Sequence, residues 1–188
     1  ADAYNRFMIE AQVSAAVMND AAVTRVFALG KAAKDYSKPQ IITARIKNSG
    51  VNALTNKQVF LSVSVANTYN TSQTIASLAS GAETEISFST FSPANLGNNS
   101  IIVYVGSDDN TNNDADTVSQ VVTPDTVSYA DGSKMTSSIG FATGEGYILN
   151  KHISTSSDNT TTVNEVNVFI GRDYRNIGET VYGVVMDA

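Results

Sequence analysis

The chain has 188 residues, of which 42% are hydrophobic and only 16% charged, and a formal net charge of -6. That leaves room for one large domain or two small ones, with a sizeable core and a polar surface built mainly from Ser, Thr and Asn. With no run of Lys or Arg to follow a phosphate backbone, nucleic acid is excluded as a partner, and the absence of cysteine excludes disulfides, thiolate nucleophiles and thiolate metal sites.

The opening stretch ADAYNRFMIE has no basic region leading into an apolar one, so the chain reads as a mature or excised piece. No apolar run approaches the roughly 20 residues that a membrane span needs. Residues 6–13 (RFMIEAQV) suit a strand, and residues 15–22 (AAVMNDAA) could continue as a short helix. Periodicity does not separate the two, and residues 1–20 read as the tail of a preceding element with a linker.

From Val23 the strand signals become regular. VTRVFAL ends at Gly30, and a polar loop closed by Pro39 leads into residues 41–48 (IITARIKN). There Ile42, Ala44 and Ile46 face one way and Thr43, Arg45 and Lys47 the other, the mark of a half-buried strand. It stops at Ser49-Gly50, where glycine is expected to supply the positive φ of a tight turn. Residues 58–66 (QVFLSVSVA) alternate again, with Val59, Leu61, Val63 and Val65 on the inner face, and a short strand follows around residues 73–75. After the Gly81 turn, Glu83, Glu85 and Ser87 point outward and Thr84, Ile86 and Phe88 inward. Residues 101–105 (IIVYV) are apolar on both faces, as in a central strand, and residues 117–122 close the set. About seven short strands over about a hundred residues, separated by turn signals, predict an all-β, immunoglobulin-like sandwich over residues 21–123.

Pro124 marks a boundary, because proline cannot donate to a ladder and the strand pattern restarts after it. In residues 124–188, Val166, Val168 and Ile170 line one strand face and Val181, Gly183 and Val185 another. About 65 residues make a marginal core, so this part reads as an incomplete second β-sandwich module.

Residues 107–116 (SDDNTNNDAD) gather Asp108, Asp109, Asn110, Asn112, Asn113, Asp114 and Asp116 in one hairpin loop. Hard oxygen donors at such spacing suit calcium, and Asp108, Asp109, Asn110, Asn112, Asp114 and Asp116 are the candidate ligands. The EF-hand pattern fails, since glycine is missing at the sixth position and glutamate at the end. The competing reading is a turn in which Asp and Asn satisfy nearby backbone groups.

Catalytic signatures are lacking. His152 is the single histidine, so a Ser-His-Asp arrangement or a multi-histidine zinc site would have to run through it. Glu83 and Glu85 project from one face of one strand, whereas a glycosidase pair must straddle a bond in a cleft. Glu145, between two glycines, sits in a turn-like TGEG that lacks the phosphate-loop spacing. The expectation is a protein that is not an enzyme. Tyr147 and Tyr174 are candidate glycan-stacking residues, with core packing as the alternative.

The stretches TRVFALGK, ITARIKNSG, LTNKQVFLSV and TIASLASGAETEISF, with the turn Leu78-Ala79-Ser80-Gly81, resemble CARDB-like immunoglobulin-fold modules of secreted and surface proteins of Bacteroidetes. VSYADGS, SSIGFATGEGYILNKHI, VNEVNVFIG and ETVYGVVMDA resemble the first part of a jelly-roll-like module that follows in such proteins. The resemblance implies export, by the type IX route, and a non-catalytic structural or adhesive role in spacing or docking other domains. The alternative is a carbohydrate-binding accessory domain of a secreted hydrolase. The implied partners are protein or glycan at the cell surface, and an open sheet edge would allow strand pairing with a second copy. The two Asp-Thr-Val triplets resemble the O-glycosylation acceptor of the same bacteria, which would make Thr117 and Thr126 glycan carriers.

Overall fold

A computed structural model describes residues 16–130 and 162–166. Eight strands are found among the described residues: β1 (Ala21–Phe27), β2 (Lys31–Ala33), β3 (Thr43–Asn48), β4 (Leu54–Val65), β5 (Tyr69–Leu78), β6 (Glu83–Ser87), β7 (Gly97–Val105) and β8 (Ala115–Thr123). They form a three-stranded sheet ordered β1-β3-β6 and a five-stranded sheet ordered β2-β8-β7-β4-β5. This is the all-β, immunoglobulin-like sandwich.

The alternation written in the sequence builds the core. Ala44 and Ile46 of β3, with Ile42 just before it, are buried in one core with Val59, Leu61 and Val63 of β4 and Ile101, Val103 and Val105 of β7. Within the large sheet, Leu61 stands opposite Val103 and Val63 opposite Ile101, so each apolar row continues from strand to strand. Burying side chains of this size contributes about 1.5–3 kcal/mol each. The charges lie on the small sheet's other face, where Arg45 meets Glu85 at 3.7 Å and flanks the Phe27 ring together with Arg25.

Most of the expected strands are present, and five details differ. The polar loop expected after Gly30 begins with the short strand β2, which pairs with β8. Residues 16–20 are not helical, and Ala21 and Ala22 already belong to β1; the backbone groups of Asn19 and Ala21 are tied to side chains of the β7–β8 loop instead of to a helical turn. The short strand expected at residues 73–75 is a ten-residue strand, β5, whose polar side chains reflect its place at the sheet edge. Val65 leaves the inner face: its φ is 84° and its side chain 77% exposed, because the chain turns there toward Asn67. Gly50 is needed for closeness and has no positive φ. A Cβ there would lie 2.6 Å from the Met18 carbonyl oxygen and 2.7 Å from the Asp20 nitrogen. Gly81, by contrast, has φ 74° and does serve the turn before β6.

The path of the chain defines two poles. β1 starts beside Asn48 and the β7–β8 loop, with Ala21 opposite Asn48 and the Val23 N–H donating to the Asn113 carbonyl at 2.9 Å. β1 and β2 then run along β8, and β2 pairs with it in parallel, Lys31 opposite Val121 and Ala33 opposite Thr123. The sandwich therefore begins at a proximal pole and ends, at Thr123, at the distal one.

Candidate functional site

The most concentrated polar chemistry among the described residues lies at the proximal pole, where the acidic β7–β8 loop folds over residues 19–21. Asp108 accepts from the Ala21 N–H at 2.8 Å, the Asn110 N–H at 3.2 Å and the Lys57 ammonium at 3.3 Å. Its side chain is only 5% exposed. Burial opposes its charge, but the donors of Ala21, Asn110 and Lys57 outweigh burial and hold the carboxyl below its ordinary value. Asp109 and Asn19 exchange bonds, the Asn19 N–H donating to Asp109 Oδ2 at 2.8 Å and the Asp109 N–H to the Asn19 carbonyl at 3.1 Å.

Asp20 completes the arrangement. It is buried, and its carboxylate accepts from Asn110 Nδ2 at 3.3 Å and Asn113 Nδ2 at 2.9 Å. Asp114 stands close to Asp108. Burial, and then the negative charges of Asp108 and Asp20, push its carboxyl upward, with Lys57 acting in the opposite direction. Asp116 lies further along, on β8, and accepts the Val26 N–H at 3.1 Å.

Of the six candidate calcium ligands, the structure brings Asp108, Asn110 and Asp114 together and adds Asp20 and Lys57, which the sequence reading missed. Asp109 is turned to Asn19 and Asp116 to Val26, and Asn112 is exposed. Most of the oxygens are occupied by protein donors, while Asn113 Oδ1 and Asp114 Oδ1 are buried without a hydrogen-bond partner. Among the described residues, no group of three or more His, Asp or Glu side chains is placed to hold a metal ion. The arrangement works as a latch: loop carboxylates cap the first backbone N–H groups of the sandwich, and loop amides cap the carboxylate of Asp20. The clue in the sequence was the Asn19-Asp20 pair in the otherwise apolar AAVMNDAA, ahead of a strand that has no turn before it to explain the charge.

A second set of buried amides ties the distal half. The Asn67 carboxamide oxygen accepts from the N–H groups of Ala94 and Asn95, and its Nδ2 donates to Asn99 Oδ1 at 3.1 Å. Asn99 donates to Gln120 at 3.2 Å, and Gln120 to Gln40 at 2.9 Å and to the Leu29 carbonyl at 3.0 Å. Back at the proximal pole, fully buried Asn48 donates to the carbonyls of Asn52 and Leu78, both at 2.9 Å, and accepts the Gly50 N–H at 3.1 Å.

Two concavities among the described residues are shallow and open, one beside Arg25 and Asp116 and the other beside Lys57 and Phe60. Glu83 and Glu85 lie exposed on β6, away from both. Thr117, on β8, and Thr126 are both exposed. Glu145, Tyr147, His152 and Tyr174 fall outside the described residues, as does most of 124–188. No described helix is long and apolar enough to cross a membrane.

Among the described residues, the β4–β7 pair carries another candidate surface feature. Phe60 and Tyr104 stack with ring centroids 5.1 Å apart on the outer face of the large sheet. Around them the outward positions of β4, β5, β7 and β8 are Ser, Thr, Asn, Gln or apolar, with no charged side chain from Gln58 to Ser64 or from Asn98 to Tyr104.

Residues 25–118 match the CARDB family. No curated protein matches the chain. Among solved structures, the CARDB domain of a Pyrococcus furiosus protein, crystallised in complex with di-metal ions, is 19% identical, with a TM-score of 0.49 over 58% of this chain and 97% of that one. A domain of a protein from Methanosarcina acetivorans, named for the cell surface, is 19% identical, with a TM-score of 0.46 over 56% of this chain and 93% of that one. The chain belongs to the CARDB family, with its CARDB domain at residues 25–118.

Proposed function

We propose that this chain is a non-catalytic spacer of a secreted or cell-surface multidomain bacterial protein, of the kind known from Bacteroidetes, holding neighbouring domains at a set separation. The observation that carries this reading is the placing of the sandwich's two ends at opposite poles, each tied in by side chains: Asp20 and Asp108 at the start, and Thr123, whose hydroxyl accepts the Thr126 N–H at 2.9 Å, at the end. Tension between the poles loads the parallel β2–β8 pair along the strands, so that its slanted hydrogen bonds share the force. The Ser/Thr/Asn surface fits an extracellular setting, and exposed Thr117 and Thr126 are the proposed O-glycan carriers.

Single-molecule stretching tests the spacer. Pulling through handles at residues 18 and 125 is expected to unfold the sandwich at higher force than pulling through residues 18 and 107, which both lie at the proximal pole. Equal or reversed forces would argue against a load-bearing role.

In this reading the acidic loop is the latch of the proximal pole. Thermal unfolding in calcium and in chelator separates the latch alone, which leaves the melting temperature unchanged, from an ion held at Asn113 Oδ1 and Asp114 Oδ1, which raises it.

A second reading, binding of an uncharged glycan, is favoured by the stacked Phe60–Tyr104 pair in a face without charged side chains. Binding of a neutral polysaccharide that is lost in Tyr104→Ala would support it over spacing alone.

A further inference from the structure

The two sheets have four edges, β1 and β6 in the small sheet and β2 and β5 in the large one. Exposed edges invite pairing with another chain, and proteins blunt them with covers, charges, prolines, bulges or short strands. Three of the four are closed in such ways. The edge of β1 is covered, since the Val23 N–H donates to the Asn113 carbonyl and the Val26 N–H to Asp116 Oδ2. Lys31 of β2 exchanges both backbone bonds with Ser128, each at 3.0 Å. β6 is five residues long and carries exposed Glu83 and Glu85.

Among the described residues, β5 has none of these devices. Its ten residues, YNTSQTIASL, include no charge, proline or glycine. Its pairing with β4 keeps one register from Leu54–Leu78 to Val63–Tyr69; it is interrupted only at Ala76, opposite Asn56 with its φ of 48°, and runs unbroken from Ile75 to Tyr69. Among the described residues its backbone bonds to β4 alone, apart from the Leu78 carbonyl at its end, which accepts from Asn48 Nδ2 at 2.9 Å. Ser72, Gln73 and Thr74 are exposed at its centre.

We propose that β5 is a strand-addition site whose occupant is β5 of a second copy of this chain, paired antiparallel about a two-fold axis so that the two large sheets become one. An isologous pair sets each residue against a residue of the same short segment, so any charge on the strand would face a like charge near the axis. The chain carries a net charge of -6, and β5 is a segment where two copies meet without repulsion. An axis through Gln73 sets Ser72 against Thr74 on the outer face and Thr71 against Ile75 on the core side, with Gln73, opposite Val59 of β4, meeting its own copy on the axis. This inference is independent of the spacer reading, which concerns the poles and leaves the edges free.

The test is sedimentation equilibrium of the full chain from micromolar to millimolar concentration, with the double variant Ser72→Lys/Thr74→Lys and a cysteine scan. The wild type is expected to move from the 19.9 kDa monomer toward twice that mass, and the double variant, which places its charges outside the core, to remain at 19.9 kDa with an unchanged circular dichroism spectrum. Because the chain has no cysteine, single substitutions are clean reporters. One of Ser72→Cys, Gln73→Cys and Thr74→Cys is expected to form a disulfide-linked dimer on oxidation, since residues opposed across antiparallel strands lie within disulfide reach, while Ser119→Cys on β8 does not. A wild type that stays monomeric at the highest concentration overturns the proposal, as does association that survives the two lysines or cross-linking that is equal at Ser119→Cys. The cysteine scan decides the matter even if the lysine variant fails to fold. Binding of an unrelated extended peptide to a monomeric chain would also overturn the second copy as occupant.

Discussion

Asp20 and Asn113, 93 residues apart in the chain, meet at 2.9 Å, the amide of the loop donating to the carboxylate that precedes the first strand. Asn110 donates to the other oxygen of the same carboxylate. The start of the sandwich is thus held by the loop that closes its last hairpin, and the loop's acidity has a structural use.

Replacing Asp20 by Ala leaves both amides without their acceptor at a partly buried site. The expected cost is about 1–3 kcal/mol, measured by chemical denaturation. A change within experimental error would return the loop to the status of a solvated turn.

The two shifted carboxyls give the latch a pH dependence of opposite signs. Asp108, held below its ordinary value of 3.8, contributes stability that is present above that pH and lost as pH falls through its lower folded value. Asp114, pushed above 3.8, favours the fold when protonated; that contribution is full below 3.8 and lost as pH rises through its folded value. Asp114→Asn, which keeps the shape and removes the charge beside Asp108, is therefore expected to raise the melting temperature at pH 7 and to lose that advantage in acid. A lower melting temperature at pH 7 would contradict the electrostatic picture.

Asn48 satisfies three backbone groups from the interior, those of Gly50, Asn52 and Leu78. In Asn48→Leu the apolar side chain fits the core but takes the Asn48 donor from two carbonyls and leaves the Gly50 N–H only its longer bond to the Asp20 carbonyl at 3.3 Å, at a cost of about 2–4 kcal/mol by denaturant titration. Loosening should be local to the loops after β3 and β5, which amide hydrogen exchange reads directly.

Much of this fold was legible in the sequence because its inner strands obey a period of two. β3, β4 and β7 were visible in Ile42, Ala44 and Ile46, in Val59, Leu61 and Val63, and in the apolar run at Ile101. β5 was read as three residues because an edge strand buries little, and its centre, Asn70 to Thr74, is polar throughout. The role of Gly50 was misread because a close approach to Met18 and Asp20 leaves no mark in local sequence. The acidic loop could be seen as a cluster but not as a latch, since its partners Asp20 and Lys57 are distant in the chain and single charged residues carry no pattern.

The spacer reading stands on the separation of the two poles, and one distance tests it. Spin labels on Met18→Cys and Asp125→Cys in the cysteine-free chain, measured by pulsed dipolar spectroscopy, should give one narrow distribution near 30 Å, roughly the length of β8 at about 3.3 Å per residue. A broad distribution, or one centred well below about 20 Å, would mean that the ends are not held at opposite poles and would contradict the reading.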